Sequence, residues 1–564
     1  MRALARRAWG RIADPRRTYN ELLVLRDLVR LRRGAARALR AARPRRTGSG
    51  AALFVSMTDN VHQLKLEGVL AKAVQLEGYR PVVLTLKGAR WAEPYLRSFG
   101  LQDFVYPDDY LSAAEAAEAE RAAADFLAGD VSVQSLKALE FRGAHVGQQA
   151  LSTLSRHFYA GRIALGDPEV QTVLGDVLPL ATRGVISAGR LLDQVQPDLV
   201  LFIEKGYAGM GSIYDVALQR GANVIQMMAV GMHWRDALLF KRYNEETRRL
   251  HPASLSAESW ARVREIPWTE RHERILEEEF AIRYGSGQKH PDAGLQEGKR
   301  VLSPDEVRAQ LGLDPAKKTV VLFSHILWDA NLFFGDDLFE DQETWLVETV
   351  KAMCANPAVN WVVKLHPANL IKGATRSNDE EAIRDTVGEL PPHVTLMPPD
   401  TDVNTYSLFP FIDAGITIRG TVGLELPCFG APVLTAGTGR YSGLGFTNDS
   451  ATVAEYLGKL AHVQDLPRLT ADETELAKKH AFGLFHLRPF LFTSFNASYM
   501  DRNAFAAQHP LASNLDVVLC TPEEVENAAD LRDFVRWAED ADRLDYLREL
   551  EEDRLPEPLE LQRA

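Results

Sequence analysis

The stretch AGITIRGTVGLE, residues 414–425, changes character halfway along. AGITI is a short apolar run of the kind that forms a fully buried strand, and RGTVGLE supplies a small-residue turn and the start of a helix. A helix start offers free N–H groups and a partial positive charge, which together favour phosphate. Gly420 and Gly423 allow close backbone approach, and Thr421 adds a hydroxyl. Glu425 lies at the wrong offset for a capping box with Thr421, so its carboxylate is expected to be free for ribose hydroxyls. The stretch is neither a Walker A loop nor a GxGxxG fingerprint.

The same strand-then-helix rhythm extends in both directions. On the C-terminal side of the chain, strands are predicted at 319–323 (TVVLF), 361–365 (WVVKL), 394–397, 414–418 and 432–435, with helices between them, notably 343–355. An earlier series runs through 51–57 (AALFVSM), 81–86 (PVVLTL), 199–203 (LVLFI) and 223–228, with helices at 61–77, 91–99 and 214–220. Alternation at this pace means parallel sheets with crossover helices. The expected organisation is a basic helical arm (1–50), an N-terminal Rossmann-like acceptor domain (51–300), a C-terminal Rossmann-like donor domain (301–480) and a C-terminal helical segment (481–564). Residues 250–315 read as helices and an interdomain connection. The final segment reads as helices at 472–485, 522–539 and 543–554, the last one solvated.

The chain has 564 residues, too many for one core. Its composition is globular, 46% hydrophobic and 25% charged, and no apolar run is long enough to span a membrane. Residues 1–50 hold 15 arginines and no apolar core of the secretory kind. Against Asp14, Glu21 and Asp27 this gives the arm +12, whereas the whole chain is −12, which leaves −24 for the rest. An acidic body argues against a nucleic-acid enzyme; a basic arm with Leu22, Leu25, Leu28, Val29 and Leu31 at roughly helical spacing suits an anionic membrane surface or a basic tail. Cys354, Cys428 and Cys520 are too scattered for a disulfide framework or a zinc site, which fits a reducing, cytoplasmic setting.

In open parallel sheets, ligands bind beyond the carboxyl ends of the strands, so those positions carry the expected chemistry. Lys364 and His366 share one face at the end of WVVKL, and Pro367 fixes the turn, a pair suited to phosphate. His325 and Asp329 follow TVVLF and are candidates, with Glu425, to face the cleft and bind the donor ribose or base, a core histidine being the alternative for His325. The loop GTGRYSGLG (437–445) holds four glycines that allow close ligand approach. Glu204, directly after LVLFI, is the preferred general base, with Asp59 after the first strand as the second choice or as a helix cap. No convincing DxD pair is present; Asp336 and Asp337 read as solvated loop residues.

Taken together, FSHILWDAN, WVVKLHP and RGTVGLELPCFGAPVLTAGTGRYSGLGFT resemble the bacterial capsule and surface-polysaccharide biosynthesis proteins over roughly residues 318–450, and more loosely over 204–244. That resemblance implies a GT-B glycosyltransferase related to sialyl- and Kdo-transferases, in which a His-Pro motif and a hydroxyl-bearing turn contact the donor phosphate. Carried over, His366 and Thr421 become donor-phosphate ligands. The chain departs from the family in two places: Glu204-Lys205-Gly206 keeps only one acid, and Gly420-Thr421 replaces a tandem serine. The expected partners are a nucleotide-sugar donor, used as substrate with no separate cofactor or metal, and a polysaccharide or glycolipid acceptor. A CDP-glycerol-type phosphotransferase, a nucleotide-sugar epimerase and a non-catalytic polysaccharide-binding protein are the alternatives.

Overall fold

The computed structural model describes residues 15–229, 236–285, 298–329, 332–367, 379–500, 503–504 and 507–548. Its first sheet is built from β1 (Ala51–Val55), β2 (Arg80–Leu84), β3 (Asp103–Val105), β4 (Leu199–Phe202), β5 (Val224–Ala229), β6 (Ala237–Tyr243) and β12 (Phe490–Leu491). The spatial order is β12-β6-β5-β4-β1-β2-β3. The strands from β5 through β4, β1 and β2 to β3 pair in parallel, and β6 and β12 close one edge in antiparallel fashion. The second sheet contains β7 (Thr319–Phe323), β8 (Asn360–Lys364), β9 (Val394–Met397), β10 (Ala414–Thr417) and β11 (Val433–Thr435). It is parallel throughout, in the order β11-β10-β7-β8-β9. Both sheets are covered by helices on both faces, which is why β1, β7 and β8 are buried at every position and apolar at their centres. These are the two Rossmann-like units of the GT-B architecture expected from the strand–helix rhythm.

Two of the expected boundaries do not separate units. The described part of the arm forms helices α1 (Pro15–Arg33) and α2 (Ala36–Ala41), whose Val24, Leu28, Leu31 and Leu39 are buried in the first unit's core. Residues 1–14 of the arm lie outside the described residues. The C-terminal segment also belongs to the first unit. It adds β12, a hairpin of β13 (Phe495–Tyr499) and β14 (Ser513–Val517), and two helices, one at Pro522–Asn527 and one at Ala529–Glu539, whose Leu531, Phe534 and Val535 join the same core. The helix expected over 543–554 is absent from its described portion. Residues 543–548 form no helix, and Asp545 makes an isolated antiparallel bridge to Lys241 of β6. The physical reason is a buried charge: Asp545 pairs with Lys241 Nζ at 2.6 Å and with Arg488, all three fully buried.

The chain thus leaves the first unit after β6, builds the second and returns. Strand β6 serves both units through its period of two. Leu238 and Phe240 face Phe490 and Phe534, whereas Ala237 and Leu239 face Leu276, Phe280 and Phe485. Among the described residues, no helix is long and apolar enough to cross a membrane.

Candidate functional site

The carboxyl ends of both sheets meet at one junction. Arg156, on the helix Val146–Phe158, pairs with Asp329 beyond β7 and lies 5.0 Å over the Trp328 ring. Tyr207, beyond β4, reaches Asp329 at 3.5 Å and packs edge-on against Phe333. His251 N–H donates to the Gly439 carbonyl beyond β11 at 2.9 Å, and Arg440 Nε donates to the Ala253 carbonyl at 3.2 Å. Glu204 is half-buried beyond β4. Burial opposes the charge on Arg156, but Asp329, Tyr207 and Glu204 outweigh it and hold the guanidinium above its ordinary value. Glu204 and Asp329, chosen from opposite halves of the sequence, therefore flank one arginine.

His325 holds strand ends together. Its Nε2 accepts the Ile418 N–H at 3.2 Å and meets the Thr417 hydroxyl at 3.0 Å. An Nε2 that accepts a backbone N–H leaves the neutral ring's proton on Nδ1. Burial, then the charges of His366, Arg419 and Arg440, push its pKa down to about 3, so the ring contributes no positive charge. The Thr417 hydroxyl also accepts from the Gly420 N–H at 3.2 Å, which sets the entry to the turn. In that turn Gly423 sits where a Cβ would lie 1.9 Å from Tyr441 Oη, the group that donates to the Gly420 carbonyl at 2.7 Å. The helix that follows is short: Val422–Glu425 continues as a 3₁₀ turn over Leu426–Phe429. Thr421 makes no side-chain cap, and the N–H groups of Thr421 and Val422 have no acceptor among the described residues.

Lys364 and His366 lie beside this turn's strand neighbours. The His366 N–H donates to Ser324 Oγ at 2.9 Å, and Ser324 Oγ donates to Asp379 at 2.8 Å. Lys364 is buried, with no carboxylate paired to its Nζ among the described residues. Burial, with a smaller push from Lys299, lowers its pKa to about 7.

Several expectations are corrected. Glu425 is not a free carboxylate: it is 0% exposed, paired with Arg283 Nε at 2.8 Å and bonded by the Tyr284 hydroxyl. A carboxylate in that core is tolerable only when paired. Asp59 accepts the Trp91 N–H at 2.7 Å and the Arg90 N–H at 2.9 Å, so both its oxygens clamp a turn, while Asn60 caps the following helix through the Gln63 N–H. Asp337 is not solvated: it pairs with Arg419, whereas Asp336 stays exposed near Arg249. The glycine loop is tight for a protein reason, since Gly439, at φ +89°, backs against Gly335 with 2.6 Å between a built Cβ and the Gly335 Cα.

The sequence reading missed a cationic group around the junction. Lys205 is buried 3.6 Å from the centroid of the Tyr243 ring and also faces Tyr214 and Phe334. Burial, with Lys241 and Arg248 adding to it, holds the Lys205 pKa far below its ordinary value. His251 is pushed down likewise, by burial first and then by Arg440 and Arg419. Arg419 and Arg440 stood in the quoted motifs and were legible there; Arg156 sits in a helix with no chemical signature. Among the described residues, no cluster of three His, Cys, Asp or Glu side chains could hold a metal ion.

No family model matches the chain, and no curated protein matches it by sequence. Among solved structures it is similar to KpsC, a beta Kdo 2,7 transferase of Thermosulfurimonas dismutans. The identity is 16% over 62% of this chain and 89% of that one, with a TM-score of 0.32. It is also similar to MnaA of S. aureus in complex with UDP, at 12% identity over 76% and 92% of the two chains and a TM-score of 0.29. A UDP-GlcNAc 2-epimerase of Neisseria meningitidis bound to UDP-GlcNAc gives 12%, 77% and 95%, with a TM-score of 0.23. The fold assignment rests on the strand order of the two sheets themselves.

Proposed function

We propose that this chain is a glycosyltransferase that moves a sugar from a nucleotide-sugar donor to a polysaccharide or glycolipid acceptor. The observation that carries the reading is the convergence of both parallel sheets' carboxyl ends on one junction, where such sheets bind ligands. The proposed reaction is a single displacement: Glu204 takes the acceptor hydroxyl's proton, the oxygen attacks the anomeric carbon, and the nucleotide phosphate leaves. The free N–H groups of Thr421 and Val422, the Thr421 hydroxyl, His366 and Lys364 receive the charge on the leaving phosphate. A phosphate beside Lys364 would restore the ammonium that burial suppresses, because an opposite charge favours the charged form. These donors are fixed before the reaction, and removing one such group typically costs on the order of 10²–10³ in rate. The proposed setting is the cytoplasm, with the nucleotide-sugar as substrate and no separate cofactor.

The test is a thermal-shift panel with CMP, CDP, UDP and GDP on the parent and on His366→Ala. A ligand at about 100 times its Kd should stabilise by roughly 2.7 kcal/mol. One nucleotide that shifts the parent and not His366→Ala supports the donor site and names the donor class. No shift with any of the four overturns the reading and favours a non-catalytic polysaccharide-binding protein. Product analysis with the responding nucleotide-sugar then separates transfer from epimerisation.

A further inference from the structure

The N-terminal arginines fall into two groups that the sequence alone does not separate. One group fastens the arm: Arg30 pairs with Asp516, Arg45 with Glu77, and Arg46 with Glu539. The other group, Arg26, Arg33, Arg37 and Arg40, is exposed and makes no ion pair among the described residues. On α1 the unpaired arginines share a face with apolar side chains. Tyr19, Leu22, Arg26, Val29 and Arg33 are spaced three and four apart, with Leu25 beside them, and form one row on the side opposite the buried Val24, Asp27, Leu28 and Leu31. Tyr19 and Leu22 are each 59% exposed, Leu25 47% and Val29 37%. These four are nearly half of the nine exposed large hydrophobics among the described residues, gathered on one helix. Its two acids are both engaged elsewhere: Asp27 is buried against Lys65, and Glu21 pairs with Arg17 and Arg90.

We infer that the outward face of α1 docks on an anionic lipid bilayer, with the helix lying in the plane of the headgroups. The chemistry selects this occupant. A soluble polyanion would satisfy Arg26 and Arg33 but leave Leu22, Leu25 and Val29 in water. A bilayer interface places phosphates against the guanidiniums and the acyl boundary against the leucines. Charge also sets the orientation. The chain outside residues 1–50 carries −24 and is repelled by an anionic surface, so the basic face alone approaches it. The docking face belongs to the first unit, the proposed acceptor side, and is independent of nucleotide binding. The inference therefore stands or falls apart from the glycosyltransferase reading.

The test is co-sedimentation of the full chain with vesicles of phosphatidylcholine alone and of equal parts phosphatidylcholine and phosphatidylglycerol. The parent sediments with the mixed vesicles only, and less so as salt is raised. Arg26→Glu with Arg33→Glu lowers the partition coefficient at least about thirtyfold. Leu22→Ser with Leu25→Ser lowers it about tenfold or more. Because these four side chains are exposed and the two arginines make no ion pair among the described residues, both double variants are expected to keep the parent's melting temperature and circular dichroism. Failure of the parent to sediment overturns the inference, as does unchanged sedimentation of either folded variant. Equal binding to pure phosphatidylcholine overturns the anionic specification, and binding to heparin without binding to vesicles identifies a soluble polyanion instead.

Discussion

Three buried cations of the first sheet unit and one buried lysine of the second are held in opposite ways. In the first unit, Lys65 meets Asp27 at 2.8 Å, and Lys241 with Arg488 shares Asp545. In the second, Lys364 is equally buried and has no carboxylate paired with it among the described residues. Burial lowers the pKa of all three lysines, Lys241 to about 8 and Lys364 to about 7, but only Lys65 and Lys241 have a carboxylate that opposes the shift. The first unit's pairs tie chain segments distant in sequence, namely the arm to α3 (Val61–Leu76) and the last described residues to β6. Lys364 ties nothing. The contrast separates cations that hold the fold from one that we propose receives a ligand.

The largest expected effect is on the first kind. Asp545→Ala strands Lys241 and Arg488 without their carboxylate and should destabilise the chain by about 3–5 kcal/mol, read by urea unfolding. Next is a matched pair. Lys65→Met leaves Asp27 with only the Tyr95 and Asn514 hydrogen bonds and should cost about 3 kcal/mol, whereas Lys364→Met should lie within about 1 kcal/mol of the parent or above it. Equal losses in the two variants would break the comparison. Gly423→Ala forces its new methyl onto Tyr441 Oη and should cost about 1–3 kcal/mol while weakening nucleotide binding, because the turn it distorts carries the free amides.

The last effect is in pH. The folded pKa of Lys364 is about 7, and an unfolded lysine titrates near 10.4. Between those values the unfolded chain binds more protons, so stability rises with pH there. The parent's deficit relative to Lys364→Met should be full below about pH 7 and vanish as pH approaches roughly 10.4, as measured by urea midpoints. Nucleotide affinity should run the other way. It should fall by up to about tenfold per pH unit above about 7 in the parent, and lose that dependence in Lys364→Met.

Strands buried on both faces were legible because they are largely apolar, and the 319–323 strand was read to the residue, as was the half-exposed edge strand 394–397. Short or mixed strands were not. Strand β3 is three residues, β12 two, and β6 carries Lys241 and Arg242, whose partners lie about 300 residues away in sequence. The arm was read as separate because arginine dominates its composition, and its buried face is only one side of α1. In the site, position along the chain identified the strand ends. It could not show that Glu425 is consumed by Arg283 and Tyr284, since those come from the helix Glu270–Gly285, which has no motif. For Asp59 the sequence left a base and a helix cap open and did not show the Arg90–Trp91 turn it clamps, because such carboxylates look alike in sequence.

The return of the chain to its starting sheet makes the second unit an insertion. Its entry and exit both sit at one edge of the first sheet, β6 and β12, and those strands are hydrogen-bonded neighbours. A module spliced between adjacent strands can be exchanged without rethreading the host, provided the graft presents an apolar surface to Ala237 and Leu239. On the proposed function, donor preference and acceptor preference would then evolve as separable cassettes, with the seam at a single two-faced strand.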